Sequence, residues 1–573
     1  MKKKIISLFL LLFVLVSCSP EVEQTPETPE IPEIPENNDN NTNDTPKDPE
    51  TPEKTSYVAS LNEGVRKHLS AGGYVEGKIP DFSQYEGTSY YRTVSTTDEF
   101  LKAIYDAKTQ YDNVWDETTS TLTQVPKEGY NESNFLGKVK VIEITNDLNL
   151  GYYKLSETAK SLGVVSDFGN KINSYSEYLP MSEMVLENGI SQIKIENTTE
   201  LLIYSKNGAK LTHCGFKLTS NHNVVIRNLE FDEIWQWEDA ITTDVSKIGD
   251  YDWFGWAYFK ISFCGNIWID HCKFGKAYDG LIDYSNPVYN SNKSVAIRAP
   301  YNANGENRLH ISWCDFASGN DDKNGYIYKM MEKIESDYQS GNTKYMYYKT
   351  LRDAGASFED ILYGIAIPQK KGFLLGDSGN NEEDYIYNLS IQVSFGYCNF
   401  KNIEDRLPKL RGGNVYLYNS IVDSLEYTEY RQKLKTLGVD NIVKTINSTW
   451  KCALVSQGIL CGNGGSIKVK NCTFAGISTI LKNNDSNSAD KINGGYSIEN
   501  CTYQATKSTK PTTQITSSST TLTESNFKWN TIDGNEPFEI IDLALIKLDD
   551  HLYSDYGVGT NNLFLEDFIK NSY

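Results

Sequence analysis

Short runs of alternating apolar and polar residues dominate the middle of the chain. The segments "KVKVIEITNDLNL", "TTELLIYSK", "HNVVIRNLEF" and "GNIWIDHCKF" each read as a strand, and Asn, Gly, Asp and Ser turns separate them. Helical periodicity is rare. In 95–108, "STTDEFLKAIYDAK", Leu101, Ile104 and Ala107 share one face behind Ser95 or Thr96 as a cap. The block 323–363 carries Met330, Met331, Ile334 and Tyr338 at helical spacing. It lies between two strands, so it reads as a helical insertion.

The strands share an ending. "LTHCGF", "IDHCKF", "ISWCDF", "GYCNF", "VKNCTF" and "IENCTY" set Cys214, Cys272, Cys314, Cys398, Cys472 and Cys501 two positions before an aromatic residue. Asn419, in "NVYLYNS", sits in a similar setting. A short strand that recurs with one small side chain at its end is the mark of a solenoid. In a right-handed parallel β-helix, equivalent positions of successive coils stack about 4.8 Å apart, and a thiol column at a bend follows. The expected fold is therefore all-β, a right-handed parallel β-helix with the helical insertion. These thiols should be buried and mostly unpaired. The competing reading is a set of unrelated core cysteines in another all-β protein.

The N-terminal end of the chain differs from its middle. "MKKKIISLFLLLFVLVSCSP" has a basic start, an apolar stretch from Ile5 to Val16 and Ser17-Cys18 at the cleavage position. It is too short to span a membrane and reads as an export signal, residues 1–18. Leu15-Val16-Ser17-Cys18 resembles a bacterial lipobox, in which Cys18 is acylated and anchors the protein to a membrane surface. The alternative is an ordinary signal peptide with a chance cysteine. Residues 19–56 are Pro, Glu, Asn and Thr with almost no large apolar side chain, so they read as a disordered tether. Residues 57–573 then form the folded domain. The expected location is the bacterial cell envelope, lipid-anchored and outer-membrane or surface exposed, with secretion as the alternative. The chain is expected to act as a monomer.

The net charge of -21 argues against nucleic acid as a partner. It leaves room for an anionic substrate if one cleft is locally basic or holds metal ions. "EDRLPKLRGGNVYLYN", 404–419, supplies such a cluster: Arg406, Lys409 and Arg411 stand together at the start of a strand.

With these segments in view, the chain resembles a pectate lyase of the pectate and pectin lyase family over roughly 85–510. The resemblance rests on "NVVIRNLEF", "EDAI", "NIWIDHCKF", "DGLIDY", "LHISWCDF", "KKGFLLGDS" and "RLPKLRGGNVYLYN", met in the family's order. It implies calcium-dependent cleavage of α-1,4-polygalacturonate, an acidic polysaccharide, by β-elimination. In such enzymes Ca2+ bridges protein and uronate carboxylates, and an arginine removes the C5 proton. Carried onto this chain, the resemblance makes Asp239, Asp279 and Asp283 the calcium ligands. It makes Arg406 the base, Arg411 a clamp on a substrate carboxylate, and Lys371 a residue that holds a carboxylate and adds positive field. Calcium takes several hard oxygen ligands, and Asp279 and Asp283, four apart on an extended segment, face one side. The chain departs from the family at one point: Trp237 stands where another carboxylate is common, with Glu238 adjacent.

Each residue has a plainer reading. Asp279 could simply make the turn before Gly280. Arg406 and Arg411 could pair with Glu404 and Asp405 on the surface. Lys370 is expected to point away from Lys371. The Asp270–His271 pair is structural in the family. Trp235, Trp237, Trp253 and Trp256 bring aromatic density, which resembles pectin lyases acting on methyl-esterified chains without calcium. A β-helix that binds surface polysaccharide without cleaving it is the further alternative. The 323–363 block either lids the cleft, with Tyr326, Tyr328, Tyr345, Tyr347 and Tyr348 stacking on sugars, or braces a distant face.

Overall fold

The computed structural model describes residues 81–109, 111–116, 121–126, 137–168, 181–239, 254–285, 308–342, 344–377, 388, 391–438, 457–477, 479–483, 494–513 and 523–529. All belong to one compact unit, Thr55–Tyr573. The leader, the tether, Cys18 and Trp253 lie outside the described residues.

The alternating runs form parallel strands, one set per coil. They gather into a 17-stranded and a 9-stranded sheet. A ladder of register partners runs through the first: Val224, Ile267, Leu309, Val393, Val415, Ile467 and Tyr496 stand side by side on successive coils. The second carries Phe216, Phe259, Ile282 and Phe373 in the same way. A parallel ladder buries one face of each strand against the coil interior, so like side chains stack on like. Phe231, Phe274, Phe316 and Phe400 form a stack with ring centroids 5.3, 4.8 and 5.2 Å apart. This is the right-handed parallel β-helix that the strand pattern predicts.

The cysteine repeat marks the bend of each coil. His271, Trp313, Tyr397, Asn419, Asn471 and Asn500 all adopt a left-handed backbone, with φ between 46° and 56°. The next residue is Cys272, Cys314, Cys398, Ser420, Cys472 or Cys501. Each of these thiols donates to the carbonyl two residues back, at 3.2 to 3.3 Å. The Ser420 hydroxyl makes the same bond at 2.8 Å, which explains why Asn419 sits in a cysteine-like context. The Ser312, Gly396, Tyr418, Lys470 and Glu499 carbonyls also accept a backbone amide from the preceding coil, so the small donor fills the second acceptor position of each. Cys214 is the exception to the expected column. It opens a strand of the other sheet, opposite Ser191. Among the described residues the cysteines are buried and unpaired.

The expected helices are present. Thr97–Ala107 begins with a capping box between Thr96 and Glu99. The insertion consists of Tyr326–Gln339, Met346–Asp353, Phe358–Ile361 and a wide turn, Leu362–Ala366. It is clamped to the coils. Lys276 Nζ donates to the Ile365 carbonyl at 3.2 Å, Asn320 donates to the Ile367 carbonyl at 3.0 Å, and Tyr363 stacks on Tyr430 at 4.9 Å. Tyr326, Tyr345, Tyr347 and Tyr348 are buried, and half-buried Tyr328 packs edge-on against Phe358 at 6.0 Å. Four of the five rings expected to stack on sugars are core, and the contacts are those of a brace.

Candidate active site

Three adjacent strands of the 9-stranded sheet bring the predicted residues together. Gly280–Tyr284 pairs with Lys371–Leu375, setting Lys371 beside Gly280 and Leu374 beside Asp283. Leu374 in turn pairs with Lys409. Ile282, Phe373 and Leu410 point into the core and are buried. Alternation therefore turns Asp283, Lys409 and Arg411 to the outer face.

Arg406 is held by its backbone in the turn before the Lys409–Arg411 strand. Its φ is 64°. Its carbonyl accepts from the Phe373 amide at 2.8 Å, the Asp405 carbonyl accepts from the Gly372 amide at 2.8 Å, and Asp405 Oδ1 accepts from the Arg406 amide at 2.8 Å. Gly372 is required here, because a Cβ on it would meet the Arg406 carbonyl oxygen at 2.4 Å. The glycine of "KKGF" thus lets the Arg406 turn lie against the Lys371 strand.

The charges of the cluster oppose one another. Lys371 Nζ lies 2.8 Å from Asp279 Oδ1. Burial, and then the neighbouring Asp279, push the Asp283 carboxyl up to about 6, while Lys260, Arg406 and Lys371 pull it down. Two buried polar atoms of the cluster have no hydrogen-bond partner, Asp283 Oδ1 and Arg406 Nε. A buried acceptor and a buried donor left open in one cluster call for completion by water, an ion or a ligand.

Gln369 is a site residue that the sequence did not reveal. Fully buried, it donates from Nε2 to the carbonyls of Asp279 at 2.7 Å and Lys371 at 2.9 Å, and accepts the Ala277 amide at 2.9 Å. It ties the aspartate strand to the lysine strand. Nothing in "PQKKG" distinguishes it from a surface glutamine.

Asp239 has another task. Its oxygens accept the Tyr347 amide at 2.7 Å, the Tyr348 amide at 3.0 Å and Trp237 Nε1 at 3.0 Å. It caps the Met346–Asp353 helix. Among the described residues, no three carboxylate, histidine or cysteine side chains converge as a cation site, so Asp239, Asp279 and Asp283 do not form the expected triad. Asp279 and Asp283 fit a cation shared with a ligand carboxylate, with Asp283 Oδ1 the open oxygen. Asp239, committed to a helix end, does not.

Other expectations resolve locally. Lys370 points inward, away from Lys371, into a buried ion pair with Glu238. Asp270 is buried between Arg227, His271 and Ser312, at 3.1, 2.6 and 2.6 Å, which is a structural role. Trp235, Trp237 and Trp256 are buried. Trp237 stacks on Tyr347 at 5.4 Å and Trp256 on Phe254 at 4.4 Å. The aromatic density that pointed toward pectin lyases is core.

The chain is 28% identical to pectate lyase B of Paenibacillus amylolyticus over 397 residues, 68% of this chain and 89% of that protein. It is 22% identical to a probable pectate lyase B of Aspergillus terreus over 271 residues, 47% of this chain and 59% of that protein. A solved pectate lyase from Paenibacillus sp. 0602 superposes with a TM-score of 0.61 at 24% identity, covering 88% of this chain and 98% of its own. No family model matches the chain.

Proposed function

We propose that this chain, a pectate lyase by its likeness in sequence and its shared fold, cleaves α-1,4-polygalacturonate by calcium-dependent β-elimination to unsaturated oligogalacturonides. The observation that carries the reading is the pairing of an open guanidinium nitrogen, Arg406 Nε, with an open carboxylate oxygen, Asp283 Oδ1, in one cluster. An acidic sugar supplies what both lack.

In this reading Lys371 and Arg411 bind uronate carboxylates. Arg411 does so through a planar fork suited to two oxygens. Asp279 and Asp283 would hold calcium, and the bound ion would supply the charge that draws electron density from the sugar and makes its C5 proton more acidic. Arg406, in its neutral guanidine form, accepts that proton from C5. The electron pair left behind forms the C4–C5 double bond, the C4–O4 bond breaks, and the departing oxygen is protonated from solvent. A guanidinium holds its own proton tightly, so the role needs cations close by, and Lys371 is within the same cluster.

The test is the absorbance of the unsaturated uronate on polygalacturonate, with and without chelator. Turnover should stop with chelator and return with added calcium. Arg406→Lys should lower kcat by about 1000-fold with an unchanged circular dichroism spectrum. A variant that keeps most of its activity removes Arg406 from the chemistry. Activity on highly methylated pectin that ignores chelator favours the esterified-chain alternative.

We also propose that Cys18 carries lipid and holds the enzyme at the cell envelope. Metabolic labelling with a fatty acid, lost in Cys18→Ala, tests it.

A further inference from the structure

The outward positions in register with Asp283 form a row across the 9-stranded sheet. Lys194 stands beside Lys217, Lys217 beside Lys260, and Lys260 beside Asp283. The residues just before them, Ile193, Phe216, Phe259 and Ile282, are buried, so alternation turns the lysines to the outer face. All three are half-buried.

Parallel strands set such neighbours about 4.8 Å apart. Stacked ammonium groups at that spacing repel one another. Elsewhere on the coils several lysines have carboxylates beside them. Lys210 meets Asp232 at 2.7 Å and Glu230 at 3.5 Å, Lys206 meets Glu143 at 3.5 Å, and Lys468 meets Glu499 at 2.8 Å. Among the described residues, no such ion pair involves Lys194, Lys217 or Lys260; Lys260 lies over the Phe168 ring at 5.2 Å. Beyond Asp283 the same row continues as Leu374, Lys409, Leu460 and Lys482. Apolar residues interrupt it there. The unbroken cationic run is on the N-terminal side alone.

We propose that Lys194, Lys217 and Lys260 form a rail that binds the carboxylates of an acidic 1,4-linked uronan extending from the reacting sugar over the N-terminal coils. The proposal rests on the reading of the cluster as a pectate lyase site and adds to it the direction and extent of the bound chain. One cation per coil suits a polymer with one carboxylate per sugar. The repulsion within the row is relieved when the polymer is bound, so long chains gain what short ones cannot.

The experiment compares the parent with the double variant Lys194→Gln, Lys217→Gln on polygalacturonate and on trigalacturonate at fixed calcium. Lys260 is kept because it borders Asp283. KM on the polymer should rise about fivefold and become less sensitive to salt, while kcat and the trimer kinetics stay within about twofold. An unchanged KM on the polymer overturns the rail, and so does an equal loss on polymer and trimer. Should the double variant not fold, Lys217→Gln alone is read the same way. A parent that acts on neither substrate means that the reading of the cluster has failed. The rail is then judged by native gels run with and without embedded polygalacturonate: weaker retardation of the variant supports it, and equal retardation overturns it.

Discussion

Gln369 shows how much of the site rests on a residue with no chemistry of its own. Its amide closes three buried backbone bonds between the Asp279 turn and the Lys371 strand. Gln369→Leu leaves two carbonyls and one amide buried without partners. The expected cost is about 2–3 kcal/mol of stability, read as a lower urea midpoint. Lys371 and Asp279 lose their common anchor, so kcat/KM should also fall in the remaining folded enzyme. Unchanged stability would mean that water replaces the amide. The charged members of the cluster, Arg406, Lys371, Asp279 and Asp283, were legible in the sequence because their motifs carry them. Gln369 was not, since a side chain that bonds only to backbone leaves no spacing signature.

The insertion gives the same lesson at the scale of an element. Its helical character follows from the spacing of Met330, Met331 and Ile334, all of them buried. Its role as a brace does not. That depends on Asp239 reaching the first amides of the Met346–Asp353 helix, more than 100 residues away in sequence, and on Trp237 lying flat against Tyr347. Asp239→Ala should destabilise the protein by about 1–2 kcal/mol through the lost cap. The calcium concentration for half-maximal activity should not move. A large rise in that concentration with intact stability would return Asp239 to the metal site. The two roles separate cleanly because a cap acts on folding and a ligand acts on metal affinity.

At the scale of the whole molecule, the insertion and the coils meet over a buried charge cluster of Glu238, Lys276, Lys370 and Glu404. Burial pushes Glu404 up to about 8 and Glu238 up to about 7, while it lowers Lys276 to about 7. The sign for Glu404 is that of a raised acid. Between its ordinary 4.5 and about 8, the folded state binds more protons than the unfolded chain, so its contribution to stability falls as pH rises. Lys276, lowered, acts in the opposite sense above about 7. Glu404→Gln mimics the protonated acid and removes the first effect. The variant should gain about 2–3 kcal/mol relative to the parent between pH 5 and pH 7, measured as urea midpoints at the two values. A constant difference would show that Glu404 is not protonated in the fold.

The sequence by itself determined the repeat, and through it the fold. A strand that ends in a left-handed turn, a small hydrogen-bond donor and an aromatic two positions on can stack only on copies of itself. It also determined the polar residues of the cleft, because Lys371, Arg406 and Arg411 lie in short motifs whose strands are adjacent in any such stack. Tertiary structure decided the rest. It withdrew Asp239, Trp235, Trp237 and Trp256 from the charge cluster, took Cys214 out of the bend column and added Gln369 and the lysine rail. The physical reason is the same each time. Coils of unequal length separate register partners by irregular distances in sequence, as with Lys194, Lys217, Lys260 and Asp283, so which side chains become neighbours is set by the stacking of whole coils and by what the insertion clamps against them.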